Sequence, residues 1–115
     1  MGEKDAKQTG VPAEIGEALI KTLLVLGDVN GRKMFGGYGI FIEDAMFALV
    51  SSQGDIHFKV DDSNRPQYEA AGSLQFHNMP YYQLPEAIFQ DDESLFTWAK
   101  ESIAIARASK KKKRK

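Results

Sequence analysis

Residues 34–60 read MFGGYGIFIEDAMFALVSSQGDIHFKV, three apolar runs parted by the short polar breaks Glu43-Asp44 and Gln53-Gly54. Residues 34–42 are aromatic and β-branched around Gly36, Gly37 and Gly39, and residues 45–51 are continuously apolar. Ile56, Phe58 and Val60 then alternate with Asp55, His57 and Lys59, the period of a strand with one buried face. A parallel pair needs a crossover of about a dozen residues, so breaks this short predict a three-stranded antiparallel meander. The unbroken middle run predicts burial on both sides, while the alternation after it puts His57 on a solvated face.

Working outward toward the N-terminus, Gly27, Asp28, Asn30 and Gly31 form a cluster of turn formers that predicts a loop. Ahead of it Ile15, Leu19, Leu23 and Leu26 recur at helical spacing, with Pro12 suited to a first turn and Gly27 to the stop. Residues 1–10 are polar and aperiodic and read as a disordered leader. Toward the C-terminus, Asp61, Asp62, Ser63 and Asn64 are four successive capping residues before Pro66, and Ala70-Ala71-Gly72 ends a short helix. Residues 74–76 and 79–84 predict two brief strands, with Pro80 at an edge or bulge. Pro85-Glu86 starts a turn or helix, and Asp91-Asp92-Glu93 leads a last helix carrying Leu95, Trp98, Ala99, Ser102 and Ala106 on one stripe and ending near Ser109. The predicted fold is α+β in two layers, order α-β-β-β-α-β-β-α, with helices packed on an antiparallel sheet.

A chain of 115 residues that is 43% hydrophobic suits one core, expected over residues 11–109. No apolar run approaches the ~18–20 residues of a membrane span and the start of the chain is polar, so a cytoplasmic protein without membrane contact is expected. The absence of cysteine excludes disulfides, thiol nucleophiles and cysteine-ligated metals. The net charge of −1 conceals an asymmetry. Lys110, Lys111, Lys112, Lys113, Arg114 and Lys115 are six consecutive cations, and without them nine Lys and Arg face sixteen Asp and Glu, a body at −7. An acidic body is a poor general surface for nucleic acid, so weak, non-specific contact with DNA or RNA is expected from the basic tail at 110–115. Six cations on phosphates would give a salt slope of about −4 to −5.

The stretch Arg32-Lys33-Met34-Phe35-Gly36-Gly37-Tyr38-Gly39 resembles the opening signature of the TfoX N-terminal domain of the TfoX/Sxy competence regulators. Residues 58–65, 68–72 and the Tyr-Tyr-x-Leu-Pro segment at 81–85 are similar to further stretches of that family, in order. The resemblance implies a two-layer α/β fold of the type III secretion chaperone kind and a stand-alone, single-domain member. It implies a non-enzymatic regulatory module, a transcriptional coactivator whose protein partner would be a transcription factor such as the cyclic-AMP receptor protein. It carries no catalytic residues and no cofactor.

Gly36, Gly37 and Gly39 beside Arg32 and Lys33 invite a phosphate-loop reading, but they enter a strand rather than a helix, and no Gly-Lys-Ser/Thr follows. A bulge, a bend or close helix packing is the simpler account of the glycines. The alternative is a small-ligand or nucleotide-binding groove at the strand's start, contacted by Arg32, Lys33, Gly36, Gly37 and Tyr38. Tyr81 and Tyr82 either belong to the core or line a partner groove at a sheet edge, where a homodimer could also pair. The acidic clusters precede helices and read as caps. His57 and His77 stand alone in the sequence, without metal-ligand spacing. Neither a Gly-x-Ser-x-Gly elbow nor a Ser/His/Asp arrangement is legible, so no nucleophile is expected.

Overall fold

The period of Ile15, Leu19 and Leu23 winds into α1 (Gly2–Leu23), on which Leu19 and Leu23 are almost wholly buried, and a 3-10 turn, Leu24–Leu26, leads into the sheet. The computed structural model describes residues 2–34 and 36–114, without the side chains of 2–10 and 111–114. The helix starts ahead of Pro12, whose ring is buried inside it, so the leader read over 1–10 overlaps turns whose side chains lie outside the described residues.

Five strands form one antiparallel sheet in the order β1-β2-β3-β4-β5: β1 (Val29–Met34), β2 (Gly37–Ile42), β3 (Ala45–Val50), β4 (Ile56–Lys59) and β5 (Tyr81–Gln83). Between β4 and β5 lies α2 (Arg65–Ala70), and α3 (Glu86–Phe89) and α4 (Asp92–Arg114) close the chain. The predicted α+β class and antiparallel sheet are those observed, with five strands distributed differently. Val29, Asn30 and Gly31, predicted as loop, pair with Ile42, Phe41 and Ile40. Turn propensity yields there because the pairing buries Val29 against the core and the chain reverses instead at Gly36, whose φ is +74°. Residues 74–76 make a single bridge, Gln75 to Tyr82, flanked by the bonds Phe76 N–H to Tyr81 C=O (2.8 Å) and Gln83 N–H to Leu74 C=O (2.9 Å). That narrow hairpin covers the outer side of β5 and leaves β1 as the open edge.

Strand alternation gives the sheet two unlike faces. Tyr38, Ile40, Ile42, Val50 and Phe58 lie on the face that α1 and α4 cover, where they join Leu95, Ala99, Ile103 and Ala106 in one core. A register shift sets Ile40 opposite Ala48 but Phe41 opposite Met46, so Phe47 is the extra residue of a bulge, and both Phe47 and Ala48 are fully buried. Tyr38 shows how α1 gets close. An added Cβ at Gly16 would stand 2.2 Å from its ring, and one at Gly31 2.4 Å, so the ring lies between a helical glycine and a strand glycine.

Of the two acidic clusters expected to cap helices, the one before α4 does so, whereas α2 has no side-chain capping bond and Asp61 closes a turn ahead of it. Asp91 accepts from the backbone N–H and hydroxyl of Ser94 (3.0 and 2.7 Å) at the start of α4, which holds its carboxyl below the usual range. Before α2 it is Asp61 that accepts from Ser63 N–H and Oγ (2.8 and 2.5 Å), again lowering its pKa. Asn64, at the cap position, turns inward instead, accepting from Asp61 N–H at 2.9 Å and donating to Lys59 C=O at 3.3 Å. The last helix runs past Ser109 to Arg114. From Ala104 onward the sequence contains neither glycine nor proline to stop it, and cations at a helix C-terminus are favoured by its dipole.

Candidate functional site

The face of the sheet away from the helices carries Arg32 and Met34 from β1, Gly37, Gly39 and Phe41 from β2, Met46 and Leu49 from β3, and His57 from β4, as the register requires. Its cover is the segment 73–80, which brings Phe76, His77 and Met79 over the strands. Between them lies a cavity of about 510 Å³ lined by Met34, Met46, Leu49, Phe76 and Met79, with Ser51, Ser52, Gln53 and His77 at its margins. Gly39 makes the floor possible: a Cβ there would meet the Met34 sulfur at 2.4 Å and the Met46 sulfur at 3.0 Å. Three unbranched thioethers over an apolar floor make a lining that can adapt to more than one shape.

Histidines isolated in the sequence become neighbours here. His57 is 7% exposed, not solvated as its alternation predicted, because Phe76 packs on it with ring centroids 4.9 Å apart, and His77 lies against the same Phe76 ring at 4.4 Å. Burial pushes the His57 pKa down, against a bond from Nδ1 to Asp55 C=O at 3.1 Å and the Asp55 charge, while His77 adds to the depression. An imidazole harder to protonate folded than unfolded makes the unfolded state the better proton acceptor in acid. Its contribution to stability is therefore complete above 6.5, its ordinary pKa, and declines as pH falls through that value. His57→Gln is expected to flatten the urea-midpoint profile there; an unaltered slope would show that His57 does not titrate in this way. Among the described residues no group of three or more His, Cys, Asp or Glu is placed to hold a metal ion.

The sequence-derived site residues separate into different places. Gly37 lines the cavity, and Gly36 lies exposed in the β1–β2 turn; Phe35 of the same motif lies outside the described residues. Lys33 is exposed on the open edge strand. Arg32 lies over the Phe41 ring at 4.3 Å and reaches Asp44 at 3.6 Å. Tyr38 is in the core with its pKa raised by burial first and by Glu17 second. Tyr81 is also buried, its hydroxyl donating to Met46 C=O at 3.1 Å and its pKa pushed up to about 12. Tyr82 is half-buried beside Tyr68 on the helix side. Of the basic run, Lys110 Nζ donates to Glu43 C=O at 2.9 Å; Lys115 and the side chains of Lys111, Lys112, Lys113 and Arg114 lie outside the described residues.

Met34, Met46 and Met79 were missed as a group because they are spread over 46 positions of sequence and only the register and the returning segment 73–80 unite them. No helix among the described residues is long and apolar enough to cross a membrane.

A family model described as the TfoX N-terminal domain matches residues 21–106, which covers the sheet, the groove and most of α4. A curated relative, the DNA transformation protein TfoX1 of Aliivibrio fischeri, is 29% identical over 97 residues, 77% of this chain and 46% of that protein. The chain thus spans about half the length of that relative.

Proposed function

From the premise that the chain belongs to the TfoX N-terminal domain family, we propose that it is a non-enzymatic regulatory module that acts by binding another protein through the methionine groove. The observation that carries this is the groove itself, an apolar concavity on the face the helices leave free, bordered by the open edge of β1. Its lining offers thioethers and hydrocarbon, suited to an apolar anchor from a partner. The six-residue β1 adds a row of backbone groups with which a partner's strand, or a second copy of the chain, can pair. One relative is named a DNA transformation protein; for this chain the partner class we favour is a transcription factor such as the cyclic-AMP receptor protein, with the chain as coactivator in the cytoplasm.

The test is an affinity pull-down from native lysate at high salt, comparing the full chain with Met34→Glu/Met79→Glu, changes at half-exposed groove positions. A partner held by the wild type and lost at least roughly tenfold by the variant, with thermal unfolding unchanged, supports the reading; tenfold corresponds to about 1.4 kcal/mol of binding. A partner retained equally by both, or captured only through residues 110–115 at low salt, refutes it.

A second reading has its own observation. The cavity volume falls in the ~300–1,000 Å³ range of small-molecule sites, and Gly37 of the glycine-rich segment helps to line it. Arg32 and Lys33 are not among its lining residues, so the ligand that fits is neutral and apolar rather than a nucleotide. A thermal-shift screen of small aromatic compounds with the wild type and Met46→Ala distinguishes this reading from the first.

A further inference from the structure

Three of the four methionines in the chain line the cavity on the sheet's free face, in a chain that has no cysteine. Met34 comes from β1, Met46 from β3 and Met79 from the covering segment, so register and chain return unite them. Two of the sulfurs are already close. Those of Met34 and Met46 both lie within 3.0 Å of the point where a Cβ on Gly39 would stand, side by side over a glycine floor. Met79 is held in a fixed turn: its N–H donates to Phe76 C=O at 3.0 Å, and its carbonyl accepts from Tyr81 N–H at 2.7 Å and Gln75 Nε2 at 3.0 Å. His77 sits inside the same turn with φ of +53°, a backbone conformation uncommon for a residue other than glycine, and lines the cavity with the three methionines.

We propose that Met34, Met46, Met79 and His77 form a binding site for a soft monovalent metal ion, Cu(I). Thioether sulfur is a soft donor that selects Cu(I), and imidazole suits copper as well. The methionines are unbranched, with three rotatable bonds each, and can close around an ion without backbone movement. All four donors are neutral once the imidazole has lost its proton, and among the described residues no Asp or Glu lines the cavity. A divalent ion would bring uncompensated charge into that apolar lining, whereas a single charge incurs the smaller desolvation cost. The lack of thiolate and carboxylate likewise disfavours Zn(II), Mg(II) and Ca(II). His57 is not among the lining residues and its Nδ1 is engaged with Asp55 C=O at 3.1 Å, so His77 supplies the nitrogen. The inference uses the same cavity as the protein-binding reading but does not rest on it, because it needs the sulfur atoms and not merely an apolar surface.

The experiment is anaerobic titration of the full chain with Cu(I), its affinity read by competition with a chromophoric Cu(I) chelator. A parallel titration uses Ag(I) as a redox-inert stand-in while the methionine methyl signals are followed by NMR. The expected result is one Cu(I) held per chain, three methionine methyl signals shifted together by Ag(I), and Cu(I) retained against excess Zn(II). Met34→Leu/Met46→Leu removes two sulfurs while keeping volume and apolarity, and His77→Ala removes the exposed imidazole. Each is expected to weaken Cu(I) binding by at least roughly tenfold, the lower end of the loss on removing even an outer-shell partner, with thermal unfolding of the metal-free chain unchanged. A partner that needs only the apolar surface is still captured by the leucine variant, so this proposal and the protein-binding reading fail separately. No Cu(I) retained against the chelator, an affinity that either variant matches, or displacement by Zn(II) overturns the proposal.

Discussion

Tyr38→Ala is expected to lower the unfolding free energy by about 3–5 kcal/mol, the range for emptying a buried aromatic site, read from urea denaturation. The ring is 9% exposed and fills the seam between α1 and the β1–β2 hairpin. Both sides of that seam are shaped around it, since the ring occupies space that a Cβ at Gly16 or at Gly31 would need. A reciprocal change gives the sharper result because two rules disagree in sign. Gly16→Ala should stabilise the helix by about 1 kcal/mol on propensity alone. The 2.2 Å approach of its Cβ to the ring would instead force the helix or the tyrosine to move, an overpacking cost of about 1–3 kcal/mol. A net loss of stability is expected; a gain would mean that α1 does not sit this close to the sheet.

Tyr68 is expected to split by chemistry. Its ring is fully buried, with its centroid 4.6 Å from that of Trp98 and 6.1 Å from that of Tyr82, so Tyr68→Ala should cost about 3–5 kcal/mol. Its hydroxyl is buried without a partner at hydrogen-bonding geometry, while the neighbouring Ser102 Oγ donates to Lys59 C=O at 2.7 Å. Burial raises the pKa of that hydroxyl strongly, with Ser102 opposing and Glu101 reinforcing the shift. A buried, unpaired polar group is a cost of about 1–3 kcal/mol, so Tyr68→Phe should be neutral or stabilise by about 1 kcal/mol. Calorimetric melting of the two variants tests this, and a loss above about 1 kcal/mol in Tyr68→Phe would show that the hydroxyl is satisfied.

The groove illustrates why site residues are harder to read from sequence than elements are. Tyr38 and Tyr81 attracted a binding interpretation as aromatics within motifs, yet burial assigns both to packing. Met46 sits in a continuous apolar run in which period 2 is invisible, so only the bulge at Phe47 determines that it faces the groove while Phe47 faces the helices. The charged neighbours of His57 predict a solvated ring, but Phe76 arrives from a distant part of the chain to cover it.

The class of the fold follows from local signals. Helical periodicity over Ile15 to Leu23 and Leu95 to Ala106, and runs with short polar breaks between residues 34 and 60, leave an antiparallel sheet with helices on one side as the consistent arrangement, because these signals are local. Four ordered motifs likewise sufficed to bring out the family. Tertiary structure alone decided that Val29, Asn30 and Gly31 are strand, that three methionines share one cavity, and that Arg32 and Lys110 meet at Asp44. Each of these depends on register or on the return of a distant segment, and a shift of one residue in a strand would reverse which face every side chain occupies.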